Sequence, residues 1–143
     1  MDLRFDGKTA FVAGAAMGIG WACASMFAES GAAVALADFS ETVMDRAAEL
    51  RARGFAAQGI LCDVSKEEEV ARAVDTAMAA FGRLDCAFNG VGVHAAVRTD
   101  MAETEGWDFD HVIAVNLRGI WNCMKYEIPA MQKSGGGAIV NCS

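Results

Sequence analysis

The sequence predicts an α/β protein built on a parallel sheet with helices on both faces. Two observations predict it. Short apolar runs alternate with helical patterns four times, and a fifth apolar run follows. The runs also lack alternating polarity, as strands covered on both faces must.

The first strand is predicted over 8–13 (KTAFVA) and is broken at once by glycines. A helix over 19–30 comes next. In it Trp21, Ala24, Phe27 and Ala28 are spaced to share a face, and Gly31 takes the position after the last turn that favours glycine. The second strand covers 33–38 and ends on the carboxylate of Asp38. Ser40 can cap the helix that runs on towards Arg53. A third strand over 57–62 stops at Asp63, and Ser65-x-x-Glu68 reads as a capping box opening a helix to Phe81. The fourth strand, 84–89, runs into Asn89-Gly-Val-Gly92. Residues 93–106 are polar and acidic and read as a loop with room for one helical turn, and 100–110 as solvated. A long helix is predicted over 107–133, with Pro129 near its last turn. In it Ile113, Leu117, Ile120, Met124, Ile128 and Met131 form a stripe expected to face the sheet, and Val112, Val115, Cys123 and Tyr126 a second apolar side. Three glycines, 135–137, then lead into a fifth strand over 138–142.

The chain has 143 residues, about the size of one domain, and 54% of them are hydrophobic, which rules out disorder. A net charge of −7 argues against a nucleic-acid surface and against attraction to anionic membranes. Five cysteines, with no C-x-x-C spacing, read as reduced, buried, structural thiols of a cytoplasmic protein. Neither histidine, His94 or His111, has a partner at metal-ligand spacing, so no metal is expected. The amino terminus mixes both charge signs and does not read as a signal peptide. Residues 9–28 carry no charge and include Gly14-xxx-Gly18, a pattern shared with membrane helices. Three glycines interrupt that stretch and no basic or aromatic belt flanks it, so strand, turn and helix is the better reading.

Gly14-Ala-Ala-Met-Gly18-Ile-Gly20 stands where the first strand meets the first helix. Glycine permits a sharp turn and close main-chain approach, and the N–H groups and dipole of the adjoining helix favour a pyrophosphate. The spacing differs from G-x-G-x-x-G, and no Lys-Ser/Thr comes after the last glycine as in a P-loop. Asp38, eighteen residues after Gly20, is placed to accept both ribose hydroxyls of an adenosine and to repel a 2′-phosphate. Phe39 is its neighbour, and the glycine loop holds Ala16 and Met17, so no Arg or Lys is placed to receive that phosphate. These features predict NAD over NADP.

The glycine turn, Asp63-Val64, Asn89-Gly-Val-Gly92, Asn116-Leu-Arg-Gly119 and the Gly-Ala-Ile-Val-Asn run before Cys142 stand in one order and spacing. Together they resemble the short-chain dehydrogenase/reductase family across essentially the whole chain. The resemblance implies a Rossmann-like doubly wound parallel sheet of strand order 3-2-1-4-5, truncated at strand five. Residues 1–143 are then an incomplete NAD-binding domain, without the catalytic carboxy-terminal part. The activity implied is hydride transfer between NAD(H) and a small-molecule alcohol or carbonyl. No nucleic-acid or membrane partner is expected, and the complete protein is expected to form a homo-oligomer, dimer or tetramer. By resemblance, Gly14, Gly18, Ile19 and Gly20 line the pyrophosphate turn, with Met17 inside it and Phe39 beside Asp38 among the cofactor contacts. Asp63 and the backbone of Val64 hold the adenine, and Asn89 and Gly90 pack beside the adenosine ribose. Asn116 corresponds to the family's catalytic asparagine, whose helix bend anchors a water in the proton relay.

The chain also departs from the family pattern. Ala13 replaces a threonine, which removes a hydrogen bond between the first and fourth strands worth roughly 1 kcal/mol. Gly90-Val91 replaces the family's Asn or Ala followed by Ala. The family's Tyr-x-x-x-Lys pair has no match: Tyr126 is followed four residues later by Ala130 and reads as packing. The family register places the catalytic serine one residue beyond Ser143, with Ser143 itself as the alternative. The chain as given is therefore expected to be inactive, and a non-catalytic NAD-binding module is the alternative.

Overall fold

The computed structural model describes residues 3–96 and 100–142. Five parallel strands form the middle layer in the order 3-2-1-4-5. In chain order the elements are β1 (Thr9–Ala13), α1 (Gly18–Glu29), β2 (Ala33–Asp38), α2 (Thr42–Ala52), β3 (Ala57–Leu61), α3 (Glu67–Phe81) and β4 (Cys86–Asn89). After a short 3₁₀ turn at Met101–Glu103 come α4 (Gly106–Ile113), α5 (Ile120–Lys133) and β5 (Ala138–Asn141). The uncharged stretch at 9–28 is thus β1, the glycine turn and most of α1. No helix among the described residues is long and apolar enough to cross a membrane.

The absence of polar alternation in β1 has a direct cause. Phe11 and Ala13 point into a core shared with α3 and α5, while Val12 points into a core shared with α1 and α2. Both faces are apolar because both are covered. Phe11, Leu36, Leu50 and Leu84 are essentially inaccessible, each contributing about 2–3 kcal/mol through burial. Gly31 and Gly82 end α1 and α3 at φ +98° and +77°, values that glycine reaches without strain.

Two predicted caps form differently. The Ser65–Glu68 box does not close, because the Ser65 hydroxyl donates to Asp63 Oδ1 at 2.7 Å. Glu69, instead of Glu68, reaches back to accept the Asp63 N–H at 2.8 Å. Ser40 sits one residue before the Glu41 cap position of α2, and its hydroxyl accepts the Thr42 N–H only at 3.4 Å.

The long helix is not continuous α-helix. A π-helical turn at Ala114–Gly119 separates α4 from α5. Its wider winding adds a residue to the turn and rotates the faces of α5 by roughly 100° relative to α4. The expected sheet-facing stripe is therefore corrected: Ile113, Leu117 and Ile128 lie on the exposed side, and only Met131 of that set is fully buried. The sheet side of α5 carries Cys123, Glu127, Ala130 and Met131 instead.

At the amino-terminal edge of the sheet, the Asp85 carboxylate accepts the Thr9 N–H at 3.0 Å, Lys8 Nζ at 3.2 Å and Arg83 Nε at 2.7 Å. The Arg83 bond outweighs burial and holds this carboxyl at about 2. The latch ties the starts of β1 and β4 together. All five cysteines are free thiols, and burial pushes Cys62 up to about 12 and Cys123 higher still, which makes both unreactive. Cys142 differs from the expectation of burial, since it is exposed beyond the end of β5.

Candidate functional site

The predicted residues converge at the opposite, carboxyl-terminal edge of the sheet. Register sets this: Ala13 stands level with Ala37 and Asn89, so the segments leaving β1, β2 and β4 open side by side. Gly14 turns at φ +82°, and a Cβ there would lie 2.8 Å from the Gly90 carbonyl oxygen. A Cβ on Gly20 would strike the Gly14 carbonyl oxygen at 1.9 Å. Gly18 has open space around it but needs its φ of +57°. Main chain therefore meets main chain here, and no side chain fills the turn.

Helix α1 begins from Met17 with no side-chain cap and no acidic residue in its first turn. Its first N–H groups and positive dipole end face outward unneutralised, an arrangement that can seat a phosphate. Met17 and Ile19 flank this position with 70% and 64% exposure, apolar surface that a bound molecule would cover.

Asp38 is 8% exposed at the end of β2. Its Oδ2 accepts the Ala16 N–H at 2.9 Å and its Oδ1 the Ser40 N–H at 3.0 Å. The carboxylate is therefore a strut for the glycine turn as well as a candidate acceptor, and each oxygen retains capacity for a hydroxyl. Phe39 stands exposed beside it. Arg46, from α2, donates through Nε to the Ala16 carbonyl at 3.1 Å, so a cation does stand beside the turn.

Asp63 accepts the Ser65 N–H and hydroxyl and lies 3.6 Å from Lys66 Nζ. Burial opposes its charge, but the Ser65 bonds and Lys66 together hold its carboxyl below the usual range. Val64 is buried, and its carbonyl accepts Asn122 Nδ2 at 2.8 Å. Gly119 permits that approach, since a Cβ there would lie 2.6 Å from Val64.

Asn89 is fully buried and donates through Nδ2 to Glu127 Oε2 and to Asn141 Oδ1, both at 3.0 Å. Asn89 Oδ1 and Glu127 Oε1 have no hydrogen-bond partner among the described residues. Burial pushes the Glu127 carboxyl up to about 7, against the smaller opposing effect of the Asn89 bond. Gly90 lies against the Phe88 ring, where a Cβ would sit 2.4 Å from a ring carbon.

Asn116 lies in the π turn, so the expected irregularity of this helix is present. Its side-chain amide is committed to one residue: Oδ1 accepts the Val93 N–H and Nδ2 donates to the Val93 carbonyl, both at 2.8 Å. Asp108 corrects the reading of 100–110 as solvated, because it is 1% exposed and accepts the Ala96 N–H at 2.8 Å. Asn116 and Asp108 thus pin the loop after β4 at two points. Tyr126 donates its hydroxyl to Glu67 at 2.8 Å and packs its ring against the core. Ser143 lies outside the described residues.

Residues 14–143 match the family model described as enoyl-(acyl carrier protein) reductase. An A-factor type gamma-butyrolactone 1'-reductase (1S-forming) from Streptomyces virginiae is 41% identical over 138 residues, covering 95% of this chain and 53% of that protein. The chain belongs to the short-chain dehydrogenase/reductase family. A D-threitol dehydrogenase from Mycolicibacterium smegmatis is 39% identical to this family member over 141 residues, covering 98% of it and 54% of the relative. The crystal structure of a 3-ketoacyl-(acyl-carrier-protein) reductase from Brucella melitensis, complexed with NADH, superposes with a TM-score of 0.88 at 31% identity. That match covers 95% of this chain and 57% of the reductase. The chain spans about half the length of the curated relatives it matches.

Proposed function

We propose that the protein is an NAD-dependent oxidoreductase that interconverts an alcohol and a carbonyl, and that residues 1–143 form its cofactor-binding domain. The observation that carries this is the uncapped, acid-free start of α1 beside a glycine turn with no room for a Cβ at Gly14 or Gly20, with Asp38 at the next strand end. The bound cofactor supplies the hydride acceptor or donor.

Met17, Gly18, Ile19 and Gly20 receive the pyrophosphate through main-chain N–H groups, and Gly14, whose own N–H is donated to the Ala37 carbonyl at 2.8 Å, makes the turn that lets it approach. Asp38 takes the adenosine ribose hydroxyls on its remaining lone pairs, with Phe39 beside the sugar. Asp63 and Val64 border the adenine, supported by the Asn122 bond to the Val64 carbonyl. Asn89 and Gly90 wall the ribose side, and Glu127 fixes the Asn89 amide from behind. Asn116 acts as a positioning residue: from within the π turn it holds the Val93 peptide through both its N–H and its carbonyl. Proton transfer is assigned to no described side chain. Trp107, Phe109, Leu117, Trp121 and Ile128 give α4, the π turn and α5 exposed apolar surface, which supports a homo-oligomer, dimer or tetramer, and the five free thiols support a cytoplasmic location.

Calorimetric titration with NAD+ tests the binding half of the proposal. Asp38→Ala is expected to weaken binding by about tenfold, the loss of a hydrogen-bonded charge. Absence of dinucleotide binding would end the reading. Reduction of NAD+ by small secondary alcohols, measured on the complete protein, tests the other half: residues 1–143 alone are expected to bind without reducing, and binding without reduction by the complete protein would leave it a non-catalytic NAD-binding module.

A further inference from the structure

Arg46 was not legible as part of the site, because it lies one helix away from the glycine turn in sequence. Its Nε–H donates to the Ala16 carbonyl at 3.1 Å, and the N–H of the same Ala16 donates to Asp38 Oδ2 at 2.9 Å. A guanidinium and a carboxylate are thus hydrogen-bonded to the two polar groups of one residue. The guanidinium lies over the Trp21 ring, 4.7 Å from its centroid, and Nη1 donates to Glu49 at 3.1 Å. Nη2 makes no hydrogen bond among the described residues, and the side chain is 33% exposed. Trp21 fixes the plane of the group, so little conformational freedom is left to lose when an anion arrives.

We infer that Arg46 is a specificity-determining residue that makes the Asp38 corner tolerant of a 2′-phosphate on the adenosine ribose. This inference rests on the dinucleotide reading above. A carboxylate alone repels a phosphate; the Arg46 guanidinium, held on the other polar group of Ala16, offsets part of that charge and keeps Nη2 as a donor for a phosphate oxygen, while Glu49 takes Nη1. The Asp38 oxygens, each already taking one backbone N–H, still accept ribose hydroxyls, so NAD+ remains the better ligand.

The test is calorimetric titration of the full chain with NAD+ and NADP+ for wild type, Arg46→Gln and Arg46→Lys. The wild type is expected to bind both. Arg46→Gln is expected to weaken NADP+ by about tenfold more than NAD+, as loss of a charge-assisted contact does. Arg46→Lys, which keeps the charge but not the planar group on Trp21, is expected to lose less NADP+ affinity than Arg46→Gln and to fall between it and wild type. Equal weakening of both ligands by Arg46→Gln would overturn the inference and leave Arg46 as a support of the turn. Wild-type binding of NAD+ with none of NADP+ would overturn it too, while the dinucleotide reading stands. Binding of neither ligand would overturn both.

Discussion

Helices α1 and α3 start at the same edge of the same sheet, yet their first turns are chemically opposite. The first turn of α3 carries Glu67, Glu68 and Glu69, and Glu69 folds back onto the Asp63 N–H. Its positive end is satisfied from within. The first turn of α1 holds Gly18, Ile19 and Gly20 with no carboxylate and no cap. The fold supplies equivalent helix ends, and side-chain chemistry decides which stays open to an external anion. Glu127 shows a third treatment of a carboxyl near that edge: buried behind Asn89 with no cation, it has its protonated form favoured by burial instead of its charge paired.

The comparison breaks most completely at the turn itself. Gly20→Val pushes a side chain into the Gly14 carbonyl, which a Cβ alone would meet at 1.9 Å. Loss of NAD+ binding by about 100-fold or more is expected, with a drop of about 3 kcal/mol in unfolding free energy. Calorimetry and urea unfolding measure the two effects, and a variant that still bound normally would remove the turn from the site.

The next effect concerns Glu127. Its carboxyl is raised from 4.5 to about 7, so its stabilisation is complete below the ordinary value and is lost as pH rises through about 7. Asp63 and Glu69 are lowered, so their contribution has the opposite sign: present above the ordinary range and lost as pH falls. Between pH 5 and 8 the wild type is expected to lose about 2–3 kcal/mol through Glu127, and Glu127→Gln is expected not to. Parallel pH profiles for the two proteins in urea unfolding would contradict this assignment.

The smallest change makes α1 resemble α3. Ile19→Glu adds a first-turn carboxylate at a position that is 64% exposed. Stability is expected to shift by no more than about 0.5 kcal/mol, while the NAD+ dissociation constant rises about tenfold. Glu68→Gln on α3 serves as the control and should leave NAD+ affinity unchanged. Equal effects from the two substitutions would mean that the difference between the helix starts has no bearing on binding.

The strands, the glycine turn and the Asp38 position were legible in the sequence because their causes are local. Apolar runs must be buried, glycine is needed where φ turns positive, and a carboxylate at a strand end lies where the ligand edge forms. The side of the long helix that meets the sheet was not legible. Its hydrophobic period assumes regular winding, but a π turn at Ala114–Gly119 interrupts it, and Ile113, Leu117 and Ile128 lie exposed.

The tertiary structure alone decided the polar partnerships. Asn122, Glu127, Asp108 and Arg46 look like ordinary surface residues in the sequence, and nothing in their local spacing names a partner. Asn122 reaches Val64, Glu127 reaches Asn89, Asp108 reaches Ala96 and Arg46 reaches Ala16 only once the helices have docked at particular rotations. Hydrophobic pattern determines which faces pack, because burial is non-directional. Which donor meets which acceptor depends on distances of about 3 Å and on angle, and those are set by the assembled fold.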